Sequence, residues 1–221
     1  MRTNRPFGEK IHALMQFGMD FILPRSDEAF ALAGMTASDL APHLRIRTLS
    51  HHVTALFEYQ DERIRSLIWL LKYQKSTHAA ELFATVLYEY ILEHLAETKL
   101  FEGPNEPIIV PLPLSPRRIR ERGYNQMELV LHALEKASEH TLTVKLQALQ
   151  KIRHTRPQTK LNRKERLENV HDSFRANPGD VRGRTIILVD DVVTTGSTLL
   201  EAKRALMHAG AHSTIPIALA G

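Results

Sequence analysis

The sequence contains no cysteine, which excludes disulfide bonds and any zinc site that is built from thiolates. Its histidines, including the adjacent pair His51 and His52, form no group with the spacing of metal ligands. We therefore expect no zinc site in this chain, and we expect His51 and His52 to have packing or surface roles.

Long apolar runs are also missing. No segment approaches the roughly 18 consecutive apolar residues that a membrane-spanning helix requires. The apolar stretch between Ile11 and Asp20 is interrupted by His12 and Gln16, and no signal-peptide cleavage pattern follows it. These absences predict a cytoplasmic protein that has no membrane partner.

The rest of the composition is that of an ordinary globular protein. Of the 221 residues, 43% are hydrophobic and 24% are charged, which is enough apolar material for a proper core. The 29 Lys and Arg residues outnumber the 25 Asp and Glu residues, and the resulting charge of +4 weakly favours an anionic ligand. The length predicts one main domain with a small appendage.

Strand-like and helix-like segments alternate from about residue 45 onward, which predicts an α/β fold with a mostly parallel sheet. Strands or hairpins are predicted at residues 45–59, 108–110, 185–189 and 213–219, and helices at residues 61–73, 79–96, from 125 and at 198–208. An amphipathic pattern at residues 8–23 and weakly patterned residues 24–44 precede them. We therefore divide the chain into an N-terminal helical extension, residues 1–45, and a main domain, residues 46–221.

The most informative stretch runs from Ile186 to Leu199. It is predicted to be a buried strand that ends in Asp190 and Asp191, followed by a loop of hydroxyl residues around one glycine, Gly196. A helix is predicted next, and Thr198 with the glutamate three residues later has the spacing of a capping box. The whole stretch is therefore a strand, an acidic pair, a polar loop and a helix start.

Each part of this stretch suits a sugar phosphate. Ligands of open parallel sheets bind at the carboxyl ends of the strands, and the amides of a helix start can hold a phosphate. The glycine lets the backbone approach the ligand, and the carboxylates fit sugar hydroxyls or a nearby Mg²⁺ ion. The residues expected to hold the ligand are Asp190, Asp191, Thr194, Thr195, Gly196, Ser197 and Thr198.

Two other phosphate-binding motifs fit this stretch of sequence less well. A Walker A loop requires a lysine where Ser197 stands, and a dinucleotide fingerprint requires three spaced glycines. The remaining alternative is a capped strand-to-helix turn with a solvated acidic pair.

Two basic segments extend the pattern. A loop rich in proline and arginine follows the strand at residues 108–110, and arginine binds phosphate groups in a bidentate manner. Its predicted diphosphate contacts are Arg117, Arg118, Arg120, Arg122, Asn125 and Gln126. Residues 151–169 are polar, basic and without periodicity, which predicts a long mobile loop that could close as a lid over an anion. Its predicted contacts are Arg156, Gln158, Lys160 and Arg163. The alternatives are a solvated basic loop and a solvated linker.

Taken in order, these three segments resemble the ComF family of the type I phosphoribosyltransferase superfamily over roughly residues 46–221. Further matching segments are Leu71-Lys72-Tyr73, residues 122–126 and Phe174. The resemblance implies a Rossmann-like, mostly parallel sheet flanked by helices, with a flexible lid loop. Typical members carry a four-cysteine zinc module at the N-terminus, which this chain lacks, so residues 1–45 are predicted to be a degenerate extension.

The resemblance also implies a ligand and a reaction. The ligand is 5-phosphoribosyl-1-pyrophosphate (PRPP), whose ribose hydroxyls meet Asp190 and Asp191 and whose 5′-phosphate meets the following loop. Mg²⁺ is held near the same two aspartates, mainly through PRPP. The implied reaction transfers the phosphoribosyl group to a nitrogenous acceptor, and Thr194 stands where hypoxanthine-type relatives place an aspartate, which argues against that acceptor class. The acceptor stays open.

Two other functions remain open at this point. One is a PRPP-sensing regulator without turnover. The other is a protein that handles single-stranded DNA, in line with the family's association with natural competence and DNA uptake. Binding of that kind combines basic grooves with stacking aromatic residues, and only Tyr124 and Phe174 lie near the basic segments in the sequence. A nucleobase or single-stranded DNA is therefore left open as a partner, and so is a homodimer.

Overall fold

The computed structural model describes residues 32, 34–98, 106–152 and 172–221. The predicted helix at residues 8–23 lies outside the described residues, and so do the predicted lid residues Arg156, Gln158, Lys160 and Arg163. These expectations therefore stay predictions.

A mixed sheet forms the centre of the described chain. Its strands are β1 (Leu44–Thr48), β2 (Thr54–Phe57), β3 (Ile108–Pro111), β4 (Thr143–Val144), β7 (Thr185–Val192) and β8 (Ser213–Ala220), with β5 (Leu149–Lys151) and β6 (Phe174–Ala176) forming a separate antiparallel pair. The six strands of the main sheet lie in the order β1-β2-β8-β7-β3-β4. Every neighbouring pair is parallel except β1 and β2, which form a hairpin. The predicted mostly parallel α/β sheet is thus confirmed.

Helices cover the sheet on both faces. They are α1 (Ala37–Leu40), α2 (Glu62–Trp69), α3 (Thr77–Thr98), α4 (Pro116–Arg122), α5 (Gln126–Ala137), α6 (Pro178–Val181) and α7 (Ser197–His208). A π-helical turn, Leu70–Gln74, prolongs α2. Asp61, Ser115 and Asn125 cap α2, α4 and α5, because their side-chain oxygens accept hydrogen bonds from first-turn amides. Among these described helices, none combines the length and the apolar character that crossing a membrane requires.

The alternation of side chains along β7 divides the core into two layers. Ile187 and Val189 pack with α3, α5 and the π-helical turn, whereas Ile186 and Leu188 pack with α7 and the β5–β6 pair. Because successive side chains of a strand point to opposite faces, the next two residues of β7 continue into opposite layers. This alternation decides where the acidic pair lies.

Two expectations need correction, and a third stays untested. The arginine-rich segment is not only a loop, since α4 forms within it, begins after the Ser115 cap with Pro116 at its first position, and ends at Gly123 with φ of 86°. The short strands β4, β5 and β6 were not predicted, and Lys151 lies in β5 rather than in a loop. The division at residue 45 stays a prediction, although Leu40 of the predicted extension is buried in the core beside α3.

Candidate active site

The site lies where the carboxyl ends of the parallel strands meet. Asp190 of β7 is in register with Ala218 of β8, and Val189 is in register with Pro111 of β3. The chain leaves β7 and enters α7 through the loop Thr194–Thr198, which we call the phosphate loop. This is the edge at which an open α/β sheet binds its ligand.

Asp191 points into the layer formed by α3, α5 and the π-helical turn. Its Oδ2 atom lies 2.9 Å from Nζ of Lys72, and both side chains are largely buried. Nε2 of Gln126 donates a hydrogen bond to the same oxygen, and Arg122 donates to Oε1 of Gln126. Asp191 thus anchors the π-helical turn and the start of α5 to the tip of β7.

The charge of Asp191 is stabilised by these contacts. Burial alone would raise the pKa of its carboxyl group, but the adjacent Lys72 ammonium, with Arg122 and Gln126, holds that pKa below its ordinary value. Asp191 is therefore ionised at neutral pH and forms a true ion pair with Lys72.

Asp190 points to the opposite side and lines the pocket beside the phosphate loop. Burial, and then the neighbouring charge of Asp191, raise the pKa of Asp190 to about 7. Positive charge on this side comes from Lys151, whose pKa is lowered to about 8 by burial and by Arg118. The ammonium of Lys151 also lies 5.1 Å from the ring centroid of Phe174. The two neighbouring aspartates therefore have different environments and different proton affinities.

The phosphate loop encloses a small pocket of about 50 Å³, several times the space that one water molecule needs. Gly196 has φ of 73°, a left-handed conformation that glycine adopts without strain, and it caps α7. The hydroxyls of Thr195 and Ser197 lie 3.0 Å apart. The first amides of α7 have no carbonyl partners within the helix, so this corner can accept an anion.

The predicted capping box at Thr198 is wrong. The helix begins one residue earlier, at Ser197 after Gly196, and the carboxylate of Glu201 has other hydrogen-bond partners. Its carboxylate accepts hydrogen bonds from the amide of Asp172, at 2.7 Å, and from Nε of Arg204, at 2.9 Å. Glu201 therefore ties α7 to Asp172, two residues before β6, instead of capping the helix.

The predicted diphosphate residues are only partly brought together. Arg122 and Gln126 join the Asp191 network, and Arg118 affects the pKa of both Asp190 and Lys151. The remaining three residues lie in other environments. Arg117 pairs with Glu121 along α4 at 2.6 Å, and Arg120 is exposed. Asn125 caps α5 and donates a hydrogen bond to the carbonyl of Leu112.

Sequence reasoning missed two lysines of this site. Lys72 follows a helical apolar stripe and looks like any solvent-facing residue of an amphipathic helix, and Lys151 precedes a basic segment. The segment Leu71-Lys72-Tyr73 was the only signal for Lys72. No local sequence pattern distinguishes Lys151.

Aromatic and cationic side chains gather beside the π-helical turn. The rings of Trp69 and Tyr73 lie 5.6 Å apart, and the guanidinium carbon of Arg122 lies 5.5 Å from the centroid of Tyr73. The ammonium of Lys75 lies 5.7 Å from the centroid of Tyr124, whose hydroxyl donates to the π-helical turn. Tyr73 is 46% exposed. We call these five side chains the aromatic surface, and it shares Arg122 with the Asp191 network.

Known proteins match the sequence of this chain. Residues 79–220 match the family described as "Phosphoribosyl transferase domain". The competence protein ComFC of Bacillus subtilis (strain 168) is 35% identical over 108 residues, which cover 49% of this chain and 41% of ComFC. The DNA utilization protein YhgH of Escherichia coli (strain K12) is 33% identical over 145 residues, covering 66% of this chain and 61% of YhgH. The competence protein F of Haemophilus influenzae is 30% identical over 153 residues, covering 67% of this chain and 64% of that protein.

The chain thus spans less than two thirds of the length of each of these relatives. The family match extends from α3 through β8 and includes both the acidic pair and the phosphate loop. The resemblance drawn from the sequence motifs is confirmed, and the chain belongs to the phosphoribosyltransferase domain family, within its ComF branch.

Proposed function

We propose that this protein binds PRPP together with Mg²⁺ and transfers its phosphoribosyl group to a nitrogenous acceptor. The observation that carries the proposal is the pocket in which Asp190 stands beside the phosphate loop at the start of α7. The loop offers amides and hydroxyls to the 5′-phosphate, and Asp190 offers acceptor oxygens to the ribose hydroxyls.

The charges around the pocket suit the remaining part of PRPP. Arg118 and Lys151 provide positive charge on the Asp190 side, and Arg122 and Lys72 provide it on the Asp191 side. A pyrophosphate group placed between them is stabilised as negative charge develops on it when the bond to C1 breaks. The chain's own part in the reaction is then to orient the ribose and to stabilise the leaving group.

The residues fit a magnesium ion that is held mainly through the ligand. Mg²⁺ binds through one or two carboxylates together with substrate phosphates and water, and Asp190 is the carboxylate that faces the pocket. Within the described residues, no three His, Asp or Glu side chains form a metal-holding group by themselves. When bound, the ion would neutralise the pyrophosphate.

Calorimetric titration with PRPP, with and without Mg²⁺, tests the proposal. We expect Mg²⁺-dependent binding that is lost in Asp190→Asn and in the double variant with Asp191→Asn, while Glu89→Gln, an exposed carboxylate change on α3, leaves binding unchanged. Circular dichroism verifies that each variant is folded. Unchanged PRPP affinity in folded Asp190→Asn would refute the assignment of the site.

Turnover needs its own measurement. Release of pyrophosphate from PRPP, measured over a panel of nitrogenous bases, identifies the acceptor. Magnesium-dependent binding without release on any acceptor would instead support a PRPP-sensing regulator.

A second candidate function, binding of single-stranded DNA, is favoured by the aromatic surface. The structure adds Trp69 and Tyr73 to the one tyrosine near the first basic segment, and it places cations on two of the rings. Tyr73 is the exposed ring of this group, whereas Trp69 and Tyr124 are half-buried, and an exposed ring beside a cation suits sequence-tolerant stacking of a base. The names of the relatives, which refer to competence and to DNA utilization, agree with this candidate.

Fluorescence anisotropy with a labelled single-stranded oligonucleotide tests this second candidate function. Tyr73→Ala should weaken binding by about 1–3 kcal/mol if one base stacks there, and affinity should fall steeply with salt. Ile46→Ala, an exposed apolar residue on the edge strand β1, is the control. Equal affinities for Tyr73→Ala and the control would exclude the aromatic surface as the binding site.

A further inference from the structure

The turn between β1 and β2 lies directly against the phosphate loop. A Cβ atom built on Gly196 would stand 3.3 Å from the carbonyl oxygen of Ser50 and 3.4 Å from Cδ2 of His51. Val53 completes the contact at 3.5 Å and is buried in the same core layer as α7. We call residues 50–53 the histidine turn, and its His51 ring reaches the Gly196 position through the ring carbon Cδ2.

Both histidines of this turn have a left-handed backbone. The φ angle is 65° at His51 and 57° at His52, which lie in the turn that the amide of Leu49 closes by donating to the carbonyl of Val53 at 2.7 Å. Side chains are uncommon in this region, although asparagine, aspartate and histidine adopt it more readily than other residues. The histidine turn therefore places two imidazoles in a conformation that glycine adopts without strain.

The phosphate loop lacks positive charge of its own. Residues 192–200 contain no Lys, Arg or His. Among the described residues that line the pocket, Asp190 carries the only ionisable side chain. A phosphate dianion placed there would be held by amides, hydroxyls and the helix dipole, next to a carboxyl group, with no cationic donor from the loop.

We propose that His51 supplies a further donor: the N–H group of its imidazole, reaching the loop from the neighbouring hairpin, is an additional ligand of the 5′-phosphate, whereas the exposed His52 serves only the turn. This inference rests on the proposed function, because it takes the phosphate loop to hold the phosphate of a phosphoribosyl ligand. It replaces, for His51 alone, the expectation of a packing or surface role.

The matched variants His51→Asn and His52→Asn test the proposal. Asparagine tolerates a left-handed backbone, so both variants keep the turn, and thermal unfolding verifies this. Calorimetry with ribose 5-phosphate, and with PRPP and Mg²⁺, measures affinity. His51→Asn should weaken both ligands about tenfold or more, as expected for a lost hydrogen bond to a charged group, and His52→Asn should bind like the wild type.

A second measurement is independent of affinity. On addition of ribose 5-phosphate to the wild-type protein, the ring signals of His51 should shift in the NMR spectrum, and those of His52 should not. A His51 ring that only packs against the loop would not show a change at a ring nitrogen, which a hydrogen bond to the phosphate produces.

The outcomes separate the two proposals. If the wild type binds both ligands and His51→Asn binds them equally well, His51 is not a ligand, although the PRPP site stands. If both asparagine variants weaken binding alike, the shape of the turn matters rather than the imidazole, and the inference fails. If the wild type binds neither ligand, the proposed function fails and the inference fails with it.

Discussion

Replacing Lys72 by methionine should destabilise the fold markedly, although the residues that follow Lys72 in the π-helical turn are exposed. Methionine keeps most of the length of the side chain and removes its charge. The change leaves the carboxylate of Asp191 buried, and the side-chain amide of Gln126 still donates a hydrogen bond to it. The effect should therefore be that of a broken buried ion pair.

The magnitude follows from the geometry. Nζ of Lys72 and Oδ2 of Asp191 are 2.9 Å apart, and the two side chains are only 14% and 9% exposed. Removing one partner of a buried pair typically destabilises by about 3–5 kcal/mol. Because Gln126 still donates to Asp191, we expect the lower end of that range, about 3 kcal/mol, which is a large share of a domain's stability.

Urea unfolding measures the loss, and Trp69, the only tryptophan of the chain, is a fluorescent reporter close to the changed residue. A cycle of Lys72→Met, Asp191→Asn and the double variant isolates the pair. Each single change leaves one buried partner uncompensated, so the double variant should lose less stability than the sum of the two, by about 1–3 kcal/mol.

The pH dependence of the free energy of unfolding has a predicted sign that can be checked. In the wild type, the pKa of Asp191 is below its ordinary value, so its contribution is present above the unfolded pKa of about 3.9 and is lost as the pH falls through the lower folded value. In Lys72→Met the lysine charge, which is the main cause that lowers the pKa of Asp191, is gone, and burial raises this pKa. Acidification from neutrality should therefore stabilise the variant. The stability that the variant has lost relative to the wild type should shrink toward about pH 4.

A loss below about 0.5 kcal/mol at pH 7, combined with additive effects in the cycle, would refute this reasoning. The pair would then not exist in solution, and the lowered pKa of Asp191 would lose its main cause.

Three further predictions concern the same edge of the sheet. Asn125→Ala should destabilise by about 1–2 kcal/mol in urea unfolding because it removes the cap of α5, whereas Asn125→Asp keeps the cap and should lose less. Gly196→Ala places a side chain at φ of 73° and should lower both the melting temperature and the affinity for ribose 5-phosphate; unchanged values would mean that the loop has another conformation in solution. Asp190→Asn should be more stable than the wild type above pH 7, because ionising a carboxyl group whose pKa is raised to about 7 destabilises the fold, and urea titrations should show the difference closing toward about pH 4.

The fold was predictable where its signals are local. The buried run of β7 and the helical spacing of apolar residues in α2 and α5 depend only on nearby residues. The helix α4 was missed because arginines occupy its surface and leave no apolar stripe. Its boundary signals were nevertheless present, with Ser115 and Pro116 at the start and Gly123 at the end.

The site was predictable only as far as one continuous segment carries it. Asp190, Asp191 and the phosphate loop lie within such a segment, so their residue types and spacing identify them together. Lys72, Lys151 and His51 reach the same edge from three other elements. Their positions depend on how the π-helical turn, β5 and the first hairpin pack, and a sequence pattern of single residues contains no information on that packing.

The acidic pair shows why this packing matters for function. Two neighbouring residues of a strand point to opposite faces, so Asp190 and Asp191 cannot share one environment while β7 stays regular. The environment raises the pKa of Asp190 beside the pocket and lowers the pKa of Asp191 beside Lys72. A substitution at Asp190 therefore tests ligand binding, whereas a substitution at Asp191 first disturbs the anchoring of α5 and the π-helical turn. A double variant mixes the two effects, and for this reason the folded single variant Asp190→Asn is the decisive one for the PRPP site.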